Sequence, residues 1–122
     1  MKTSSAKNKG RTFQQACAKL LSDIFNWEDG DVESRPMGSA GIDLMMSPKA
    51  KKDYPFSIEC KNTKTFPSWS GLEQAQANAK PGTIGVMVWK APRRSLMKQM
   101  ICMDHEEFAK LWKEHNVERK DD

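Results

Sequence analysis

Two carboxylates set inside short apolar runs constrain this chain more than any other feature. In the stretch 41–62, GIDLMMSPKAKKDYPFSIECKN, Asp43 interrupts one run and Glu59 the other. Side chains alternate along a strand, so Phe56, Ile58 and Cys60 share one face while Ser57, Glu59 and Lys61 share the opposite one. In the first run Ile42, Leu44 and Met46 oppose Asp43 in the same way. Pairing the two runs as a hairpin, with 47–53 as the reversal, brings both carboxylates and the Lys61 ammonium together. Two carboxylates about 4 Å apart repel by roughly 4 kcal/mol at an effective dielectric near 20. One lysine offsets that only in part, and a divalent cation offsets it fully. Oxygen donors alone suit Mg²⁺, with Mn²⁺ substituting, and the backbone carbonyl of Cys60 is a further candidate ligand beside Asp43 and Glu59.

The order G-x-D-h, a polar loop, then an apolar strand ending E-C-K resembles the PD-(D/E)XK nuclease superfamily. Its core is a strand ending in Asp followed by a strand carrying Glu-x-Lys, and Ile42 stands where the motif name has proline. Within the superfamily the chain is most similar to the small Holliday-junction resolvases and their phage relatives. The shared features are the Lys9-Gly10 opening of the first helix, an Arg-Pro-x-x-Ser-x-Gly-like loop over 35–41, the Trp-x-x-x-x-Gln-Ala helix over 69–75, and the strand 85–89.

That resemblance implies one restriction-endonuclease-like α/β domain: a central mixed sheet of four to five strands flanked by helices, in the order αβββαββα. It implies a Mg²⁺-dependent endodeoxyribonuclease, acting on branched DNA as a homodimer. Asp43 and Glu59 would hold the metal, and Lys61 would orient the attacking water or take its proton. Resolvases of this kind commonly carry a glutamate on the first helix, where this chain has Gln14. Ser39 resembles a loop serine that approaches the scissile phosphate, and Gln74 a helix glutamine near the site. Three other readings stay open: a nuclease without junction preference; a DNA-binding module of the same fold with weak or no cleavage, which Gln14 favours; and a purely structural protein-interaction domain, which would bind no metal.

Composition bounds the rest. A chain of 122 residues is one domain's length, and 38% hydrophobic with 30% charged residues fits a folded protein with one core. No apolar run reaches the roughly 20 residues of a membrane span. With no apolar h-region after the lysines of 1–9, and Cys17, Cys60 and Cys102 an odd number, the expectation is a cytoplasmic protein with reduced thiols. The net charge of +4 matters through its distribution. Basic residues gather before the first helix, in the loop 47–53 and over 90–98, and phosphate contacts are expected at Lys9, Arg11, Arg35, Lys49, Lys51, Lys52, Lys64, Arg93 and Arg94.

Along the chain, 1–9 reads as a disordered basic arm, 10–115 as the nuclease-like domain and 116–122 as a frayed charged tail. Phe13, Cys17, Leu20, Ile24 and Trp27 predict a helix over 11–27 with that stripe inward. A short edge strand is expected over 32–36, a helix over 68–80, a buried strand over 83–90 and a last strand over 97–103. A capping-box spacing at 104–107 starts a final helix with Phe108, Leu111 and Trp112 inward. The four tryptophans read as packing residues, although Trp69 could stack on an exposed base.

Overall fold

The computed structural model describes residues 2–36 and 40–121, with side chains over 8–36 and 40–116. Its elements are α1 (Lys2–Phe25), β1 (Val32–Ser34), β2 (Leu44–Met46), α2 (Pro48–Asp53), β3 (Phe56–Lys61), α3 (Trp69–Ala77), β4 (Ile84–Trp89), β5 (Met100–Cys102) and α4 (His105–Asp121). The class is mixed α/β, as the sequence indicated.

Strands β1 and β2 form one antiparallel pair. Strand β3 runs parallel to β4, and β4 antiparallel to β5, in a second sheet. The expected single sheet of four to five strands is therefore two small sheets. They meet at Asp43, whose N–H donates to the Ile58 carbonyl (3.2 Å) while its own carbonyl accepts from Arg35 N–H (2.7 Å). After that one backbone bond to β3 the chain swings away to pair with β1. The expected β2–β3 hairpin is thus replaced by a fork.

The reversal 47–53 is not a loop but a helix. Ser47 caps α2, accepting a hydrogen bond from the Ala50 N–H (3.1 Å), and Pro48 sits in the first turn, where its missing N–H costs nothing. Both signals were present in the sequence. Helix α1 begins at Lys2, so the backbone expected as an arm over 1–9 is helical from its second residue. Once the buried turns of α1 are nucleated, each further residue adds a hydrogen bond, which offsets the modest propensity of Thr3, Ser4, Ser5, Asn8 and Gly10. Likewise α4 runs on to Asp121 through the tail expected to fray.

The core lies between α1 and the sheets. Phe13, Cys17, Ala18 and Leu21 of α1 pack on Val32, Leu44, Ile58, Val86 and Val88. Leu21 rather than Leu20 is the buried turn, and Ile24, expected inward, is 62% exposed. At 3.6 residues per turn the stripe through 13, 14, 17, 18 and 21 competes closely with 13, 17, 20 and 24. Packing on the β-surface selects the first, which also buries Gln14. The helix ends in a Schellman-like turn: Asn26 adopts φ 55°, and Trp27 N–H reaches Ser22 O at 3.1 Å.

Helix α3 covers the opposite face of β3 and β4. Helix α4 starts where expected, with Asp104 accepting from Glu106 N–H, but Phe108 (48%) and Trp112 (53%) are exposed and only Leu111 packs against the core. The periodicity was read correctly, but most of that stripe is left uncovered among the described residues. Among the described residues, no helix is long and apolar enough to cross a membrane.

Candidate active site

Asp43 and Glu59 arrive at one place from different elements. Residues 55 and 61 present their carbonyls to β4, accepting from Ile84 and Lys90 N–H. By the strand's alternation, 56, 58 and 60 therefore present theirs to the open edge of β3. Asp43 sits on that edge: its Oδ2 accepts the Cys60 N–H at 2.6 Å, taking the place a neighbouring strand's carbonyl would have filled. The Cys60 carbonyl faces the same edge, where a ligand role requires it. Its thiol does not take part, being turned to α1, where a hydrogen bond with Cys17 and burial push it well above its ordinary value.

Glu59 is 4% exposed on the α3 face. Burial first, and the Asp43 charge second, raise it from 4.5 to about 7, with Lys61 opposing. Asp43 is also raised by burial, which outweighs the Cys60 N–H and the charges of Lys61 and Arg35. A hydrogen bond joins the two carboxyls, lowering Asp43 and raising Glu59. Lys61 Nζ lies 3.5 Å from Glu59 Oε2 and donates to Gln74 Oε1 at 2.9 Å. Gln74 thus joins the site by steering the ammonium from α3.

Two buried side-chain oxygens have no hydrogen-bond partner among the described residues: Glu59 Oε1 and Gln14 Oε1. Such groups are uncommon in folded proteins and mark either strain or an absent ligand. Gln14 lies one turn before Cys17 on the buried face of α1, and Cys17 touches Cys60. The donor set is hard oxygen throughout, which fits Mg²⁺ or Mn²⁺ and does not fit zinc. Among the described residues no group of three or more His, Cys, Asp or Glu side chains gathers as a metal cluster, so the two carboxylates would need the Cys60 carbonyl, water or substrate oxygens to complete a shell.

The other expected residues divide. Arg35, expected at a phosphate, is half-buried and held within the fold: its Nε donates to the Ile42 carbonyl, and its guanidinium lies against Gly41, where a Cβ would stand 3.0 Å from Cζ. At φ +114° Gly41 also needs the left-handed freedom of glycine. Arg35 therefore braces the turn that delivers Asp43, a role the sequence reading missed although the 35–41 spacing hinted at a closed loop. Lys9, Arg11, Lys49, Lys52, Lys64, Arg93 and Arg94 are exposed, and Lys51 is half-buried on α2. Ser39 lies outside the described residues. Of the tryptophans, Trp27 is packed, with its Nε1–H on Asp53 at 2.9 Å, whereas Trp69 and Trp112 stand largely in solvent.

Compared with protein-family profiles, with curated proteins and with solved structures, the chain matches none.

Proposed function

We propose that this chain is a Mg²⁺-dependent DNA endonuclease of the PD-(D/E)XK kind, hydrolysing phosphodiester bonds and selecting branched DNA as small resolvases do. One observation carries the reading: Glu59, assigned to a metal site from the sequence, is buried beside Asp43 with its Oε1 unpaired among the described residues. A protein-interaction domain has no use for a buried carboxylate with an orphaned oxygen set beside a second, half-buried one.

Asp43, Glu59 and the Cys60 carbonyl would hold the ion, whereas Gln14 lies on α1, across β3 from the Glu59 side chain. When bound, the divalent cation supplies positive charge to offset that which develops on the phosphate. Lys61, held between Glu59 and Gln74, presents an ammonium that orients the attacking water or takes its proton. Two strands of a junction need two sites, so a homodimer is part of the proposal. The exposed Met100 and Ile101 on the edge strand β5 support it, since an unpaired apolar edge invites a partner.

The test is incubation with Mg²⁺ and four-way junction, flap, duplex and single-stranded DNAs. Junction cleavage is expected to lead, and to vanish in Asp43→Asn while binding persists. Binding without cleavage by the unaltered protein would instead identify a DNA-binding module.

The basic segment 90–98 gives a separate prediction. Arg94 and Lys98 line a groove with Trp89 and Met100, and Arg93 is exposed beside them at φ 64°. Replacing Arg93 and Arg94 with alanine is expected to weaken junction binding and lower its salt slope by about 0.9 for each phosphate no longer neutralised. The cleavage rate at saturating DNA stays nearly unchanged. An unchanged slope would show that this segment touches no phosphate.

A further inference from the structure

We propose that the aromatic cavity beside the start of α3 is a subsite for a nucleobase unstacked from its DNA strand next to the phosphate being cut. The inference rests on the nuclease reading and deepens it by naming a substrate feature. The cavity, about 260 Å³, is lined by Phe66, Trp69, Leu72, Met87 and Met103 among others. Trp69 is 69% exposed, and no ring among the described residues stacks on it. Phe66, 48% exposed, meets Trp89 edge-on at 5.1 Å, and Trp89 is itself fixed by its Nε1–H on Thr63 O (3.1 Å) and Oγ1 (3.2 Å). One aromatic wall is thus held in place while the other offers a bare face.

Position ties this cavity to the chemistry. Met87 is the cross-strand neighbour of Glu59 in the β3–β4 ladder, and in-register neighbours project from the same face. Parallel strands lie about 4.8 Å apart. The cavity wall therefore stands one strand spacing from Glu59, or one to two nucleotide steps at about 3.4 Å each. Helix α3 carries both Trp69 at its first residue and Gln74, which holds Lys61.

Charge and size point to the same occupant. Residues 60–72, which run from the site to the cavity, include Lys61 and Lys64 and no acid, as suits phosphates on either side of a base. A volume of about 260 Å³ falls below the usual range for a larger ligand, about 300–1,000 Å³, and is suited to one ring system. Any base has a π-face, so such a subsite reads the loss of stacking, as at a branch point, and not the sequence.

The experiment measures binding by fluorescence anisotropy in the presence of a chelator, using a labelled single strand and the fully paired duplex of the same sequence. Trp69→Ala is expected to weaken single-strand binding about tenfold and duplex binding less than twofold. The slope of log affinity against log salt should not change, because stacking releases no counterions. Intrinsic tryptophan fluorescence should be quenched by the single strand in the unaltered protein and less so in the variant. Phe66→Ala should show a smaller loss with the same strand preference. Equal losses on both DNAs, no loss at all, or quenching undiminished in Trp69→Ala would each overturn the subsite. A change in oligomeric mass instead of DNA affinity would do so too, making Trp69 a subunit contact. If Trp69→Ala behaves as the unaltered protein while Glu59→Gln still abolishes cleavage, only the subsite fails. If neither DNA binds, the nuclease reading fails with it.

Discussion

Glu59→Gln is expected to abolish cleavage and make the protein more stable at the same time. Losing one anionic oxygen from the site should lower the rate on the order of 100-fold or more, because the amide keeps the shape but not the charge that would hold the cation. The stability change follows from the raised carboxyl. In the folded protein Glu59 ionises near 7, whereas unfolded it ionises near its ordinary 4.5. Below 4.5 both states hold the proton and the group contributes nothing. Between 4.5 and 7 the folded state binds more protons, so stability falls as pH rises, and above 7 the deficit is complete. A shift of that size corresponds to on the order of 3 kcal/mol, or about 10 °C in Tm for a domain of this length. In metal-free buffer the variant should therefore melt higher than the unaltered protein at pH 8 and nearly level with it at pH 4. Added Mg²⁺ should narrow the gap at pH 8 by stabilising only the protein that binds it. Thermal melts across this range, paired with a junction-cleavage assay, check both halves. A Tm difference that ignores pH would mean that Glu59 is not strained, and retained cleavage would remove it from the site.

Gly85→Ala should be the most damaging change outside the site. A Cβ at Gly85 would stand 2.6 Å from the Ala75 carbonyl oxygen and 2.7 Å from both Ala75 C and Gln76 Cα. All three are backbone atoms of α3, so no side chain can turn aside, and the helix must lift off the sheet. Overpacking of this kind costs about 3 kcal/mol or more. Because α3 carries Gln74, the displaced helix should also release Lys61, and cleavage should fall without any change to a group that touches substrate. Gly82→Ala is the matched control. Gly82 has φ +78° and nothing within 4 Å of a Cβ, so it should lose only about 1 kcal/mol to backbone strain and keep its activity. Denaturant midpoints measure the contrast, and a Gly85→Ala protein as stable as Gly82→Ala would disprove the close approach.

The sequence by itself determined the elements and the chemistry-bearing strand. Alternation in 56–61 put Glu59 and Lys61 on one face, and β3 keeps them there. Runs of β-branched residues, the stripe of α1 and the Asp104 cap were local signals with local outcomes. Even the unexpected α2 was written in Ser47-Pro48. The tertiary structure decided what depends on contacts distant in sequence. Asp43 meets Glu59 across a fork between two sheets, not a hairpin, because its side chain takes a ladder hydrogen bond from Cys60, and no periodicity announces that. The choice of Leu21 over Leu20, and with it the burial of Gln14, came from packing on the β-surface, since both stripes satisfy a helix alone. Phe108 and Trp112 are apolar at helical spacing, which predicts burial, but burial needs a facing surface, and among the described residues they remain half-exposed. Arg35 reads as a free cation until the Gly41 turn closes over it. Residue type and spacing fixed which groups could react. Only the packing of α1 and α3 on the sheets set which are desolvated, and desolvation is what turns Asp43 and Glu59 from surface charges into a candidate site.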